Sequence, residues 1–516
     1  MGRVHTRPGL FALLLIAATL LASGCGERAD RFARRPNVSR IDDEPWHELR
    51  SPDFVLYSNG KTKDLETFAR DLSRFIAVVD RLVDSKPPKT GANIFLLDEH
   101  AEDLFLGDHR AIGVMFTSLT GFDGLVRGVE HDPVRRGTFL HEFTHYLTLR
   151  GNELDLPTWY TEGFAEFLET TRARHDVMEI GSVPAWRLRT LDDRISRGRD
   201  IDLKPIFAHR RDGRTHDPNH LYPIAWATVH YLSSNADLHA RMMRMIELQA
   251  RGMNWRKAYA RSFDEPVEEL SRRVQAHVEI LIGGTPGTIG YLPIEELDVR
   301  TDFVLREVPA AEAAYLLGEL ALRGATLRSA AADRRLAEAL FRHSLALDPD
   351  DSRIQAALAY TYSVEDDPAR AEPYLTAFRA DPDPSVEALL NAGNALRAQA
   401  ARATDDDPPD RARRLQASAM EIYERALRIE PRNPAALAGL GVTQLELGEI
   451  DEARSTLARA QSLGEWDDEL TLERGRVEQK AGNVDRARRY LTQVIRYGRA
   501  ETADRAREVL REMYGE

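Results

Sequence analysis

Cysteine is nearly absent: the chain of 516 residues has one, Cys25. That excludes an intrachain disulfide. Long apolar runs are missing as well. The stretch from Leu10 to Ala22 has 13 residues, whereas a membrane-spanning helix needs about 20. Positive charge is in deficit: 70 Lys and Arg stand against 83 Asp and Glu, a net charge of −13. A general nucleic-acid binder needs a basic face for phosphate, so the balance argues against that class. What remains is a globular composition, 43% apolar and 30% charged, in a chain long enough for about two to four domains.

The first residues read as a targeting segment. Arg3 and Arg7 precede the apolar run, and Ser23-Gly24-Cys25 follows it. This is the order of a signal peptide: positive start, short apolar stretch, small residues at the cut. The segment LLASGC (20–25) resembles a bacterial lipobox, with Ala22 where leucine is commoner. The resemblance implies that residues 1–24 are removed and Cys25 is lipidated. The mature chain would then sit on the cell envelope, on the periplasmic face of the outer membrane in a Gram-negative cell. Residues 25–44 are polar and charged and read as a tether.

Globular patterning begins at Trp46. FVLYS (54–58) and NIFLL (93–97) predict strands. Between them, apolar residues at 65, 68, 72, 75, 76, 79 and 82 predict a helix. AIGVMFTSLTGFDGLVRGV (111–129), with its glycines and short β-rich runs, predicts a hairpin at a sheet edge.

FLHEFTHYLT (139–148) then places two histidines four apart, with a glutamate directly after the first. Asp132 is a candidate cap, Pro133 suits the first helical position, and Gly151 follows the helix. Val134, Leu140, Phe143 and Leu147 are candidate apolar anchors. On a helix, residues four apart share a face. His141 and His145 therefore present two imidazoles to one Zn²⁺, while Glu142, turned about 100° away, reaches a water on the metal. A catalytic zinc site takes three protein ligands. LPTWYTEGFAEFLE (156–169) offers Glu162 and Glu166 on one face of a second helix whose Trp159, Phe164 and Phe167 predict burial. A buried carboxylate needs a partner, and a metal ion is one.

HEFTH followed by WYTEGFAEFLE resembles the gluzincin metallopeptidases, in the pattern of the aminopeptidase N family and its peptidase-MA-like bacterial relatives. The resemblance covers residues 45–285. It implies an α+β zincin-like domain, a small sheet plus active-site helices, with Glu162 as third zinc ligand. It implies Glu166 as the carboxylate that orients a zinc histidine. It implies a tyrosine that donates to the oxyanion, for which Tyr222 in HLYPIAWATVHYL is the candidate, with His220 and His230 as lesser ones. The Gly-x-Met-Glu-Asn segment that binds a free amine in aminopeptidases is missing. IGVMFTS (112–118) holds its place without the acid. An endopeptidase is therefore expected, with this strand pairing with extended substrate.

Residues 171–285 carry amphipathic helical stripes, and GGTPGTIGYLP (283–293) reads as a boundary, so 286–309 is expected to be a linker. Beyond it the sequence repeats. Ala337 and Ala371, Ala453 and Ala487, Gly441 and Gly475, and Gly448 and Gly482 each stand 34 residues apart. That is the tetratricopeptide period. The step from Ala371 to Ala419 is 48, so one unit carries an insertion, read at RATDDDPPDRA (402–412). Residues 310–516 are thus expected to form an all-α solenoid of about five units and a capping helix that binds a protein partner. Two functions compete. One is an envelope zinc peptidase whose repeats recruit substrate or partner. The other is an inactive lipid-anchored scaffold. Glu142 favours the first, because a structural zinc site has no need of a general base.

Overall fold

A computed structural model describes residues 38–83, 91–97, 104–105, 113–149, 156–209, 218–324, 330–403, 408 and 410–515. Cys25 and the targeting segment lie outside these residues. No helix among the described residues is long and apolar enough to cross a membrane. The strands are β1 (Trp46–Arg50), β2 (Phe54–Ser58), β3 (Ala92–Leu97), β4 (Gly113–Ser118), β5 (Gly121–Arg127), β6 (Arg172–Arg174), β7 (Val177–Ile180), β8 (Gly290–Pro293) and β9 (Val304–Val308). The helices up to residue 282 are α1 (Thr62–Leu82), α2 (Pro133–Leu149), α3 (Thr158–Leu168), α4 (Ala185–Ser196), α5 (Leu203–Ala208), α6 (Pro218–Ser233), α7 (Ala236–Ala250), α8 (Trp255–Ser262) and α9 (Val267–Ile282).

The chain divides into two compact units. The first gathers residues up to Leu65, Lys89–Gly128 and Phe303–Glu516. Its sheet has the order β4-β5-β3-β2-β1-β9. The central pairs β2–β3 and β3–β5 are parallel, and the other pairs are antiparallel. Strands with parallel neighbours are covered on both faces and read as near-continuous apolar runs. FVLYS and ANIFLL obey this, with Leu56 and Ile94 fully buried.

The helices of this unit come in pairs. They are α10 (Ala310–Leu322) with α11 (Ala330–Leu347), α12 (Ser352–Val364) with α13 (Pro368–Ala380), α14 (Val386–Ala400) with α15 (Arg411–Ile429), α16 (Pro434–Leu447) with α17 (Ile450–Leu463), and α18 (Asp468–Lys480) with α19 (Val484–Tyr497). A single helix, α20 (Ala500–Tyr514), ends the series. Ala337, Ala371, Ala419, Ala453 and Ala487 each lie in the second helix of a pair and are fully buried. A Cβ on Gly441 would meet Leu457 Cδ2 at 2.6 Å, and one on Gly475 would meet Leu491 Cδ2 at 2.8 Å. The two glycines therefore set how closely the helices of a pair approach.

Two boundaries differ from the sequence reading. Residues 286–309 are not a bare linker: β8 pairs with β7, and β9 pairs with β1 from Trp46↔Val308 to Arg50↔Val304. Four of the five β9 side chains are exposed, so the strand shows no alternating pattern to read. The sheet also does not close a domain of its own. Trp46, Tyr57, Phe95 and Leu125 share one apolar cluster with Leu317, Leu336, Phe341 and Ile354. The span 45–285 is thus split, because the apolar face of the sheet finds its cover in the first helix pairs.

The second unit takes Glu66–Pro88 and Val129–Asp302. It holds most of α1, all of α2 to α9, and the small antiparallel sheet β6-β7-β8. Both histidines of HEFTH lie in it.

Candidate metal centre

Asp132 starts α2: its Oδ1 accepts from Val134 N at 2.9 Å and from Arg135 N at 3.3 Å. The helix then enters the protein interior. Phe139, Leu140, Phe143 and Leu147 are buried, whereas Val134, read as an anchor, is 63% exposed in the first turn. His141, Glu142 and His145 are buried with them. Helix α3 follows Pro157 and buries Trp159, Glu162, Glu166 and Phe167. It lies against α6 through Gly163, where a Cβ would come within 2.6 Å of Ala225 O. Any side chain there would push away α6, which carries Tyr222.

Three ligating atoms converge between α2 and α3. His141 Nε2 and His145 Nε2 are 3.3 Å apart. Glu162 Oε2 is 3.5 Å from the first and 3.3 Å from the second. A tetrahedral zinc with bonds of about 2.0–2.1 Å requires ligand atoms about 3.3–3.4 Å apart. The triangle has the dimensions of one face of that tetrahedron. Glu162 Oε2 is also buried without a hydrogen-bond partner, so the approach to the imidazoles is electrostatic and not an aligned hydrogen bond. Such an orphan is costly unless something else satisfies it.

Behind His141 stands a second layer. Its Nδ1 is 3.6 Å from Glu166 Oε1 and 3.8 Å from Glu169 Oε2. Arg187 on α4 donates from Nε and Nη2 to both oxygens of Glu166. Its guanidinium lies 3.4 Å from the Trp186 ring centre and 5.2 Å from that of Tyr222. The Tyr222 ring meets His141 edge-on at 6.1 Å. The structure thus gathers His141, Glu142, His145, Glu162, Glu166 and Tyr222 on α2, α3 and α6.

Burial and neighbouring charge oppose one another in this group. Burial works against the carboxylate of Glu162, but the charge of His145 and contacts with both imidazoles hold it well below the usual range. Burial also opposes a charge on His141, and Glu162, Glu142 and Glu166 overcome it and push the imidazole up to about 10. Burial and the charge of Glu166 push Glu169 up to about 8, so it keeps its proton at neutrality.

His230 does other work. It is buried, and its Nε2 donates to Gly287 O at 2.6 Å and Gly181 O at 3.1 Å, while Nδ1 faces His277 Nε2 at 2.8 Å. Burial lowers its pKa to about 4. It ties α6 to the backbone on either side of β7 and β8. The side chain of His220 lies outside the described residues. Reading the sequence missed Arg187 and Glu169. Glu169 had a signal, since it follows Glu166 by three and shares its face of the helix. Arg187, in PAWRLRT, is one arginine among many and had none.

A family model described as tetratricopeptide repeat matches residues 417–464. No curated protein sequence matches the chain. Among solved structures, a thermophilic repeat protein of Thermus thermophilus is 20% identical, covering 39% of this chain and 99% of its own, with a TM-score of 0.33. MamA is 18% identical over 36% of this chain and 91% of its own, with a TM-score of 0.24. The pilF protein of Pseudomonas aeruginosa is 21% identical over 36% and 91%, with a TM-score of 0.20. The matched residues, most of α15 with α16 and α17, are a tetratricopeptide repeat.

Proposed function

We propose that the chain is a zinc-dependent peptidase, an endopeptidase, whose repeats bind a protein substrate or partner. The observation that carries this is the triangle of His141, His145 and Glu162, with its orphaned carboxylate oxygen and with Glu142 one residue from the first ligand. These three residues would hold the ion. When bound, zinc supplies a Lewis acid and lowers the pKa of water. Glu142 takes the proton from the attacking water and passes it to the leaving amine. Tyr222 donates its hydroxyl to the oxyanion. Glu166, clamped by Arg187, fixes the ring of His141 from its Nδ1 side. Attachment to the envelope through Cys25 belongs to the same proposal.

Zinc content and hydrolysis of a peptide library, measured on purified protein, test it. Glu162→Ala should lose the metal, because two imidazoles are an incomplete set. Glu142→Gln should keep about one zinc per chain and lose about 10²–10⁴-fold in turnover. Tyr222→Phe should keep metal and fold and lose about 10²–10³-fold. A wild-type protein that binds no zinc, or a Glu142→Gln variant that retains full activity, overturns the reading.

A further inference from the structure

Strands β4 and β5 pair up to Ser118↔Gly121, so Leu119 and Thr120 form a two-residue turn. Turns of this length favour Asn, Asp and Gly. A leucine at such a tip would be exposed in an isolated hairpin, yet Leu119 is 7% exposed. It lies in one apolar cluster with Leu437 and Val442 of α16, Leu457 of α17 and Leu470 of α18. Its backbone is engaged on both sides. The N–H donates to Asp467 Oδ2 at 3.2 Å, and the carbonyl accepts from Glu465 N at 3.2 Å. Asp467 uses its other oxygen to cap α18, accepting from Leu470 N at 2.7 Å. Gly464 makes room for the tip: a Cβ there would stand 2.4 Å from Leu119 Cδ1 and 2.6 Å from Leu119 O.

An apolar side chain in a pocket, with its own N–H and C=O both bound, is how proteins hold a foreign extended segment. Here the segment is the chain's own. We propose that the notch between the fourth and fifth helix pairs is a docking site for an extended or turn segment bearing one aliphatic side chain, and that the β4–β5 hairpin is its resident occupant, displaced when an external segment of the same chemistry binds. This rests on the protein-binding half of the proposed function and is independent of the metal centre. The occupant at the notch is one side chain and two backbone hydrogen bonds, and the pairing of β5 with β3 does not depend on it. Its hold comes from being tethered, which gives it a high effective concentration over any free competitor.

The probe is a fluorescein-labelled peptide of residues 113–127, followed by anisotropy. Full-length protein carrying Glu142→Gln is the host, so that the probe is not cut. Adding Leu119→Ala weakens the resident tip and leaves the notch intact. That chain should bind the peptide at least tenfold more tightly than its parent, and a peptide with alanine in place of Leu119 should bind neither. Adding Gly464→Ala to Leu119→Ala fills the notch and should abolish the gain. A folded Leu119→Ala chain that binds no better than its parent overturns the proposal, as does a gain that survives Gly464→Ala. A second measurement needs no substitution in the hairpin. With unlabelled peptide in excess, the amide of Leu119 should exchange its hydrogen at least tenfold faster, while amides of β3 stay unchanged. An unmoved Leu119 amide also overturns it. Loss of zinc binding or hydrolysis would leave both results untouched, so the two readings fail separately.

Discussion

The repeat unit and the candidate metal centre both bury charge, and they do so in opposite ways. In the repeat unit, the buried Asp468 is met by Arg499 at 3.0 Å and the buried Asp123 by Arg323 at 2.8 Å. At the candidate metal centre, Glu166 takes the Arg187 guanidinium, and Glu162 has only the two imidazoles beside it. Among the described residues, Glu162 Oε2 is the one carboxylate oxygen buried without a hydrogen-bond partner. Buried charges with partners hold a fold together, whereas a buried charge left short marks where a ligand is wanted. The contrast separates residues that build from residues that bind, without reference to any motif.

The largest break in that contrast comes from deleting residues 303–516. It removes β9 and the helices that share the sheet's apolar cluster. The remaining sheet should fail to fold, and HSQC or near-UV CD should show it, while zinc binding by the helical unit persists. A folded sheet in the truncated chain would contradict the shared core.

Acid sharpens the comparison next. His230 binds a proton with a pKa of about 4 when folded, against about 6.5 when unfolded. Between these values the unfolded chain holds more protons, so stability falls as pH drops from 6.5 to 4. The loss attributable to His230 is about 3 kcal/mol. His230→Gln keeps an amide donor for the glycine carbonyls and should lose this part of the slope in urea titrations at pH 7, 5.5 and 4. Equal slopes for the two proteins would refute the assignment.

The smallest expected effect probes the layer behind His141. Arg187→Lys keeps the charge and loses the two-pronged grip on Glu166. Zinc affinity, measured by competition with a chelator, should weaken about 10–100-fold with the fold intact. The companion Arg499→Lys, in the repeat unit, should leave zinc affinity alone.

Much of this was open to a reader of the sequence, and the gaps have physical reasons. Ala337, Ala371, Ala453 and Ala487 betray the repeats because close helix packing admits only a small side chain at one place per period. His141, Glu142 and His145 are legible because one helix carries all three, and Glu162 because burial of its neighbours made an exposed glutamate implausible. Arg187 was not, since its value lies in reaching α3 from another helix. Strand β9 was not, because an edge strand with exposed side chains has no inside to alternate with. The shared core of sheet and repeats was hidden for the same reason: which distant surface an apolar face will choose is written in no local pattern.

The first unit is built from stretches that end at Leu65 and Gly128 and resume only at Phe303. A ribosome adds about 5–20 residues per second, so roughly 10–35 seconds separate the making of β5 from the making of β9. For that time the newborn chain carries a sheet without its cover. Tyr57, Phe95 and Leu125 would meet water, or a chaperone, before they meet the helices that share their cluster. The order of segments thus leaves an apolar sheet face in need of shielding while the rest of the chain is made.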